Sequence, residues 1–134
     1  MSERPSVILV GCGHMGRAML DGWCRAGETG PVIRVIEPDA GRAAAVAQAY
    51  GVVVGAELAA AGGDGPADIV VFAVKPQVMP AVVPLYAQLA TPACVFVSIA
   101  AGRTIAFLEH HLAPTAAIVR AMPNMPAQLH RGIT

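Results

Sequence analysis

Charge is scarce in this chain: Asp, Glu, Lys and Arg make up 13% of its 134 residues, against about 25% in a typical soluble domain. Nine basic residues balance nine acidic ones. The eight arginines and the single lysine are scattered rather than gathered into a stripe, which argues against a nucleic-acid partner. No apolar run approaches the length, about 20 residues, that a membrane helix needs, so no membrane partner is expected. The N-terminus carries one arginine and a four-residue apolar run ending in glycines, which is not a secretory signal. Cysteine is limited to Cys12, Cys24 and Cys94. An odd number without CxxC spacing indicates neither a disulfide framework nor a zinc site, and a reducing cytoplasm is the simplest location. No cluster of histidine, cysteine and carboxylate has ligand spacing, so no metal is expected. Internal repeats and low-complexity linkers are also missing.

What the chain does have is apolar content, 55% of residues, much of it alanine. At this length one domain is expected, able to bury roughly two thirds of its unfolded surface. So apolar a chain should hide part of its surface against another domain or subunit. Apolar runs recur at Val7–Val10, Val32–Ile36, Val52–Val54, Ile69–Val74, Cys94–Ile99 and Ala116–Val119. They are near-continuous rather than alternating, as expected of parallel strands covered on both faces. Helix-like segments lie between them. Met15, Ala18, Met19, Gly22, Trp23 and Ala26 recur at helical spacing. Asp39 to Tyr50 is alanine-rich, with Asp39 as N-cap and Gly51 past its end. Thr104 caps a helix carrying Ile105, Leu108 and Leu112. Residues 57 to 61 form at best a short helix, and 62 to 66 (GGDGP) a loop. Pro76, Pro80 and Pro84 cannot all occupy one helix interior. Such alternation predicts an α/β fold with a doubly wound, mostly parallel sheet.

The first crossover carries the sharpest motif. Residues 7 to 16 read VILVGCGHMG, with Gly11, Gly13 and Gly16 at GxGxxG spacing. Gly11 makes the tight turn, Gly13 lets a pyrophosphate approach the backbone, and Gly16 lets the helix pack on the sheet. Amides at the helix start attract the anion. Glu37, 21 positions beyond Gly16, ends the next apolar run, where a ribose diol would be held. Together these predict a Rossmann-type dinucleotide-binding domain spanning residues 1–134. Cys12 sits inside the turn. There helix-start amides could lower its thiol pKa, or it is simply a small side chain that fits.

Three segments of the second half leave strands at their carboxyl ends: FAVKPQVM (72–79), SIAAGRTI (98–105) and VRAMPNMPA (119–127). With VGCGHMGRAML, they make the chain resemble the N-terminal cofactor domain of pyrroline-5-carboxylate reductase, from about Val7 to Thr134. The family's second, helical domain, which forms the dimer and much of the imino-acid pocket, is missing from this resemblance. The chain stops at HRGIT with no closing helix, an apparent truncation before that domain. The resemblance implies hydride transfer from nicotinamide C4 to the C=N carbon of 1-pyrroline-5-carboxylate, yielding L-proline for amino-acid biosynthesis. It implies a small-molecule substrate and a homo-oligomeric full-length protein.

Carried over residue by residue, the family pattern places Gly11, Gly13 and Met15 at the pyrophosphate turn, and Cys12 and His14, within the same turn, are cofactor-binding candidates by position. Ala73, Val74, Lys75 and Pro76 run beside the cofactor's ribose and nicotinamide, with Ala100 and Ala101 under the ring. Met122, Pro123 and Asn124 border the nicotinamide and the mouth of the substrate pocket. None is a strong proton donor, so no catalytic acid or base is assigned; an iminium already accepts hydride, and orientation carries the rate. Three positions depart from the family. His14 stands where asparagine is usual, and Met125 replaces a threonine. Glu37 stands where many NADPH-preferring members carry a small polar residue. A carboxylate accepts bonds from a ribose 2′-OH and repels a 2′-phosphate, so NADH is favoured over NADPH, with Arg42 near enough to compensate.

Plainer readings stand beside these. Lys75 can be an ordinary exposed lysine, Glu37 a solvated strand end, and Met15 and Met19 core residues. His110 and His111 suit a helix C-terminus on a solvated face, and His130 a surface tail. Arg120 has no partner that the sequence selects. Two other functions fit the same first domain: a coenzyme F420-dependent NADP reductase or prephenate-type dehydrogenase, and an NAD(H)-binding sensor without turnover. The pairing of SIAAG with MPN disfavours the other reductases.

Overall fold

The computed structural model describes residues 5–25, 31–58, 67–99, 104–114 and 116–121. Strand β1 (Ser6–Val10) turns into helix α1 (His14–Arg25), followed by β2 (Val32–Ile36), α2 (Ala40–Tyr50), β3 (Val53–Gly55) and β4 (Ile69–Phe72). The second half holds helix α3 (Met79–Val82) between two 3-10 segments (Pro76–Val78 and Val83–Leu89), then β5 (Val95–Ser98), α4 (Ile105–His111) and β6 (Ala117–Arg120). All the strand pairings are parallel, in the order β3-β2-β1-β4-β5-β6. This is the expected doubly wound α/β sheet. Its order reverses between β1 and β4, which opens a crevice at the carboxyl ends of those strands.

Continuous apolar runs suit this sheet because each strand is covered twice. Along β1, Val7 and Leu9 join a cluster with Leu20 of α1 and Val46 of α2. Ile8 and Val10, one residue out of phase, join Phe72, Phe96, Met79, Val83 and Leu108 on the other face. Period-two geometry thus assigns successive residues to two cores. On the second face Phe72 is fully buried. It lies 6.1 Å from the stacked Phe96 ring and 5.5 Å from the edge-on Tyr86 ring.

Helix ends follow their capping chemistry. The Asp39 carboxylate accepts the Arg42 N–H at 2.9 Å, and Gly51 closes α2 with φ of 67°. Thr104 Oγ1 accepts the Phe107 N–H at 3.0 Å. The proline-rich stretch resolves the conflict noted in the sequence by breaking into three short pieces. Each piece carries a proline in its first turn, where no amide donor is missed.

Boundaries shift by a residue in β3, β5 and β6, and β4 ends at Phe72 rather than Val74. Ala73 still donates to the Val10 carbonyl at 2.8 Å, but Val74 already turns away to begin the 3-10 segment at Pro76. No helix has formed by Leu58; residues 59–61 and the 62–66 loop lie outside the described residues. No described helix is long and apolar enough to cross a membrane.

Two substitutions separate core packing from capping. Phe72→Ala is expected to cost about 3–5 kcal/mol in urea unfolding, and Asp39→Ala only about 1 kcal/mol. Equal losses would mean that Phe72 is not the keystone its burial indicates.

Candidate functional site

The crevice is built by the turn between β1 and α1. Gly11 has φ of 90°, and an added Cβ there would lie 2.7 Å from Val74 Cγ1 and 3.1 Å from the Ala73 carbonyl oxygen. Both its backbone angle and its neighbours therefore demand glycine. A Cβ at Gly16 would sit 2.6 Å from the Gly11 carbonyl oxygen, so this glycine lets α1 close onto the turn. Around Gly13 nothing lies within 4 Å of the corresponding position. The first two glycine contacts make the fold, and the third leaves open space. The Arg17 N–H donates to the Gly13 carbonyl at 2.9 Å, starting the helical ladder. The amides of Gly13, His14, Met15 and Gly16 precede that bond, in the position from which helix starts bind anions.

A groove of about 360 Å³ runs over this turn. It brings together Gly11, Cys12, Gly13 and His14 from the first crossover with Ala73, Val74 and Lys75 from the end of β4. Glu37 joins them from the end of β2. Met15 and Pro76, also expected at the site, do not line the groove. Pro38, Arg42 and Val78 do; Val78 belongs to the 72–79 segment, whereas no motif marks Pro38. An adjoining apolar slot of about 320 Å³ shares Gly11, Pro38, Val74 and Val78, and extends to Leu58, Val82 and Tyr86. The rule that carboxyl-end loops line the ligand crevice pointed to Pro38 and to the loop after β3, but the apolar character of the slot depends on side chains from the proline-rich stretch. Ala100, Ala101, Met122, Pro123 and Asn124 lie outside the described residues, as do Met125 and His130.

Glu37 is no solvated strand end. It is 3% exposed, its Oε1 accepts the Cys12 N–H at 2.9 Å, and its Oε2 accepts the Asp39 N–H at 3.0 Å. Arg42 Nη1 stands 3.5 Å from the same Oε1. Two charge-assisted hydrogen bonds and a cation compensate the desolvation of this carboxylate. Lys75 is exposed on the opposite side of the groove.

The thiol of Cys12 behaves opposite to the helix-start expectation. Burial pushes it up to about 11, and the neighbouring Glu37 carboxylate adds to the rise, outweighing Arg17 and Arg42. It is a small side chain filling the first core, not an activated nucleophile. His110 is exposed, and His111 Nδ1 lies 2.9 Å from the Phe107 carbonyl oxygen at the end of α4. Met19 packs on the first core, whereas Met15 is only partly buried.

Among known proteins, the family model described as NADP oxidoreductase, coenzyme F420-dependent, matches residues 6–102. Pyrroline-5-carboxylate reductase of Pseudomonas aeruginosa is 38% identical over 128 residues, covering 96% of this chain and 46% of that protein. Its namesake from Escherichia coli K12 is 36% identical over 126 residues, covering 93% and 46%. The solved pyrroline-5-carboxylate reductase of Coxiella burnetii superposes with a TM-score of 0.86 at 27% identity, covering 97% of this chain and 48% of that one. The chain spans about half the length of the curated relatives it matches.

Two tests follow from the turn. Gly11→Ala should destabilise the fold by more than about 1 kcal/mol, while Gly13→Ala stays within about 0.5 kcal/mol of the parent, both by chemical denaturation. Because the native Cys12 thiol holds its proton to about pH 11 against 9.0 for an ordinary thiol, the unfolded chain releases that proton first. Stability present below pH 9 should therefore decline as pH climbs toward 11. Cys12→Ala should flatten that decline; an unchanged slope would exclude the thiol as its source.

Proposed function

The chain belongs to the NADP oxidoreductase, coenzyme F420-dependent, family, and from that premise we propose that it forms the dinucleotide-holding half of a pyrroline-5-carboxylate reductase. The carrying observation is the glycine turn: open space at Gly13 beside helix-start amides, in a groove that also reaches the end of β4. That open space leaves room for an anion to approach the backbone at Gly13. The adjoining slot walled by Val78, Val82 and Leu58 suits the flat faces of an aromatic heterocycle such as adenine. The groove's other wall, Ala73 to Lys75, lies toward the half of the sheet where the nicotinamide would sit.

A nicotinamide cofactor held here would supply the hydride needed to reduce the protonated imine of 1-pyrroline-5-carboxylate. What the chain's own residues do is orientation. Gly13 and His14 would hold the diphosphate through backbone amides. Ala73 and Val74 set the depth at which a ribose and ring can lie. Lys75, exposed at the rim, places a positive charge near an anionic cofactor or a substrate carboxylate. The remaining half of the family's length would complete the imino-acid pocket and the dimer. Identity to curated pyrroline-5-carboxylate reductases over nearly the whole chain supports this substrate over that of the other reductases with the same first domain.

Glu37 lines the groove, and a carboxylate there favours a ribose diol over a 2′-phosphate. We therefore propose NADH as the preferred cofactor. Calorimetric titration of the 134-residue chain should give tighter binding of NADH than of NADPH; the reverse order overturns the preference. Gly13→Ala should lower NADH affinity by about tenfold or more, equivalent to about 1.4 kcal/mol. In a proline-forming assay the 134 residues alone should bind cofactor with little turnover. Ordinary turnover by this chain would overturn the assignment of the pocket to the other half.

A further inference from the structure

We propose that Glu37 is a positioning residue for the diphosphate grip, a strut between the first two crossovers, and not only an acceptor for a ribose. This rests on the dinucleotide reading of the groove. The backbone of the glycine turn meets β2 at two successive residues. The Gly11 N–H donates to the Ile36 carbonyl at 2.8 Å, and the Cys12 N–H donates to Glu37 Oε1 at 2.9 Å. The second carboxylate oxygen accepts the Asp39 N–H at 3.0 Å. Asp39 in turn caps α2 through the Arg42 N–H. One buried carboxylate therefore ties the turn before α1 to the turn before α2, one residue beyond the backbone bond between Gly11 and Ile36.

Two consequences follow. The Cys12 amide is already taken, so the donors left for a diphosphate begin at Gly13. That agrees with Gly13 being the turn glycine with open space beside it. Removing the carboxylate would also leave the Cys12 and Asp39 amides without their acceptor and free the Arg42 side chain that stands 3.5 Å away. Buried amides without acceptors reorganise to find new ones, and the turn would lose the shape that aims Gly13 and His14. A pure ribose reader predicts no such loss for a ligand without a diol.

The test pairs ligand and protein changes. ADP and 2′,3′-dideoxy-ADP are titrated against the parent chain, Glu37→Gln and Glu37→Ala. A strut predicts that both ligands weaken together on Glu37→Ala, by about tenfold for the lost charge-assisted contact. The isosteric Glu37→Gln, which keeps one acceptor oxygen, should weaken both less. Loss of ADP affinity with dideoxy-ADP unchanged would overturn the strut and leave a ribose reader. No change for either ligand would overturn it as well. Hydrogen exchange gives a ligand-free check: the Cys12 amide should exchange at least about tenfold faster in Glu37→Ala while Leu9 and Val35 in the core keep their protection. If the parent chain binds neither ADP nor NADH, the dinucleotide reading fails, and exchange at Cys12 still decides whether the strut exists.

Discussion

The reversal at Gly11 constrains everything around it. A strand must become a helix within three residues, and the helix must fold back close enough to cover the strand it left. Only a backbone with positive φ and no side chain can pass beneath Val74 and the Ala73 carbonyl oxygen. Once it does, α1 is held against the sheet through Gly16, and its first amides face outward over the crevice between β1 and β4. Packing of the helix and the opening of the crevice thus arise from one piece of geometry.

Around this reversal, the two faces of the sheet do different work. The face covered by α1 and α2 has an aliphatic centre flanked by Trp23 and Tyr50, and Glu37 and Arg42 reach the groove from the chain after β2. The face covered by α3 and α4 carries the large rings, with Phe72 between Phe96 and Tyr86. Val74, in the groove wall after β4, packs against the cluster that holds these rings, whereas Ala73 packs against the other cluster.

Much of this organisation was readable from residues alone. Six near-continuous apolar runs separated by capped segments implied parallel strands covered on both faces. Asp39, Gly51 and Thr104 end helices for reasons local to a few bonds. The glycine spacing implied three separate roles, and two of them are visible as contacts at Gly11 and Gly16. Harder cases involve competition between local rules and distant partners. Three prolines in nine residues forbid a single helix without saying what replaces it, and the actual division depends on how Met79, Val83 and Tyr86 reach the core. For Cys12, a nearby helix start argues for a lowered pKa, but burial and the carboxylate beside it prevail.

The sequence by itself determined the alternation of strand and helix, the place of the sharp turn, and which loops would meet at the carboxyl edge, because periodicity and glycine spacing are written into neighbouring residues. Only the tertiary structure decided what Glu37 does there. Its position at the end of β2 was evident, yet the amides of Cys12 and Asp39 that hold it belong to different turns. Asp39 is a neighbour along the chain, but the Cys12 amide comes within reach of a Glu37 oxygen only when β1 and β2 pair in register across the sheet.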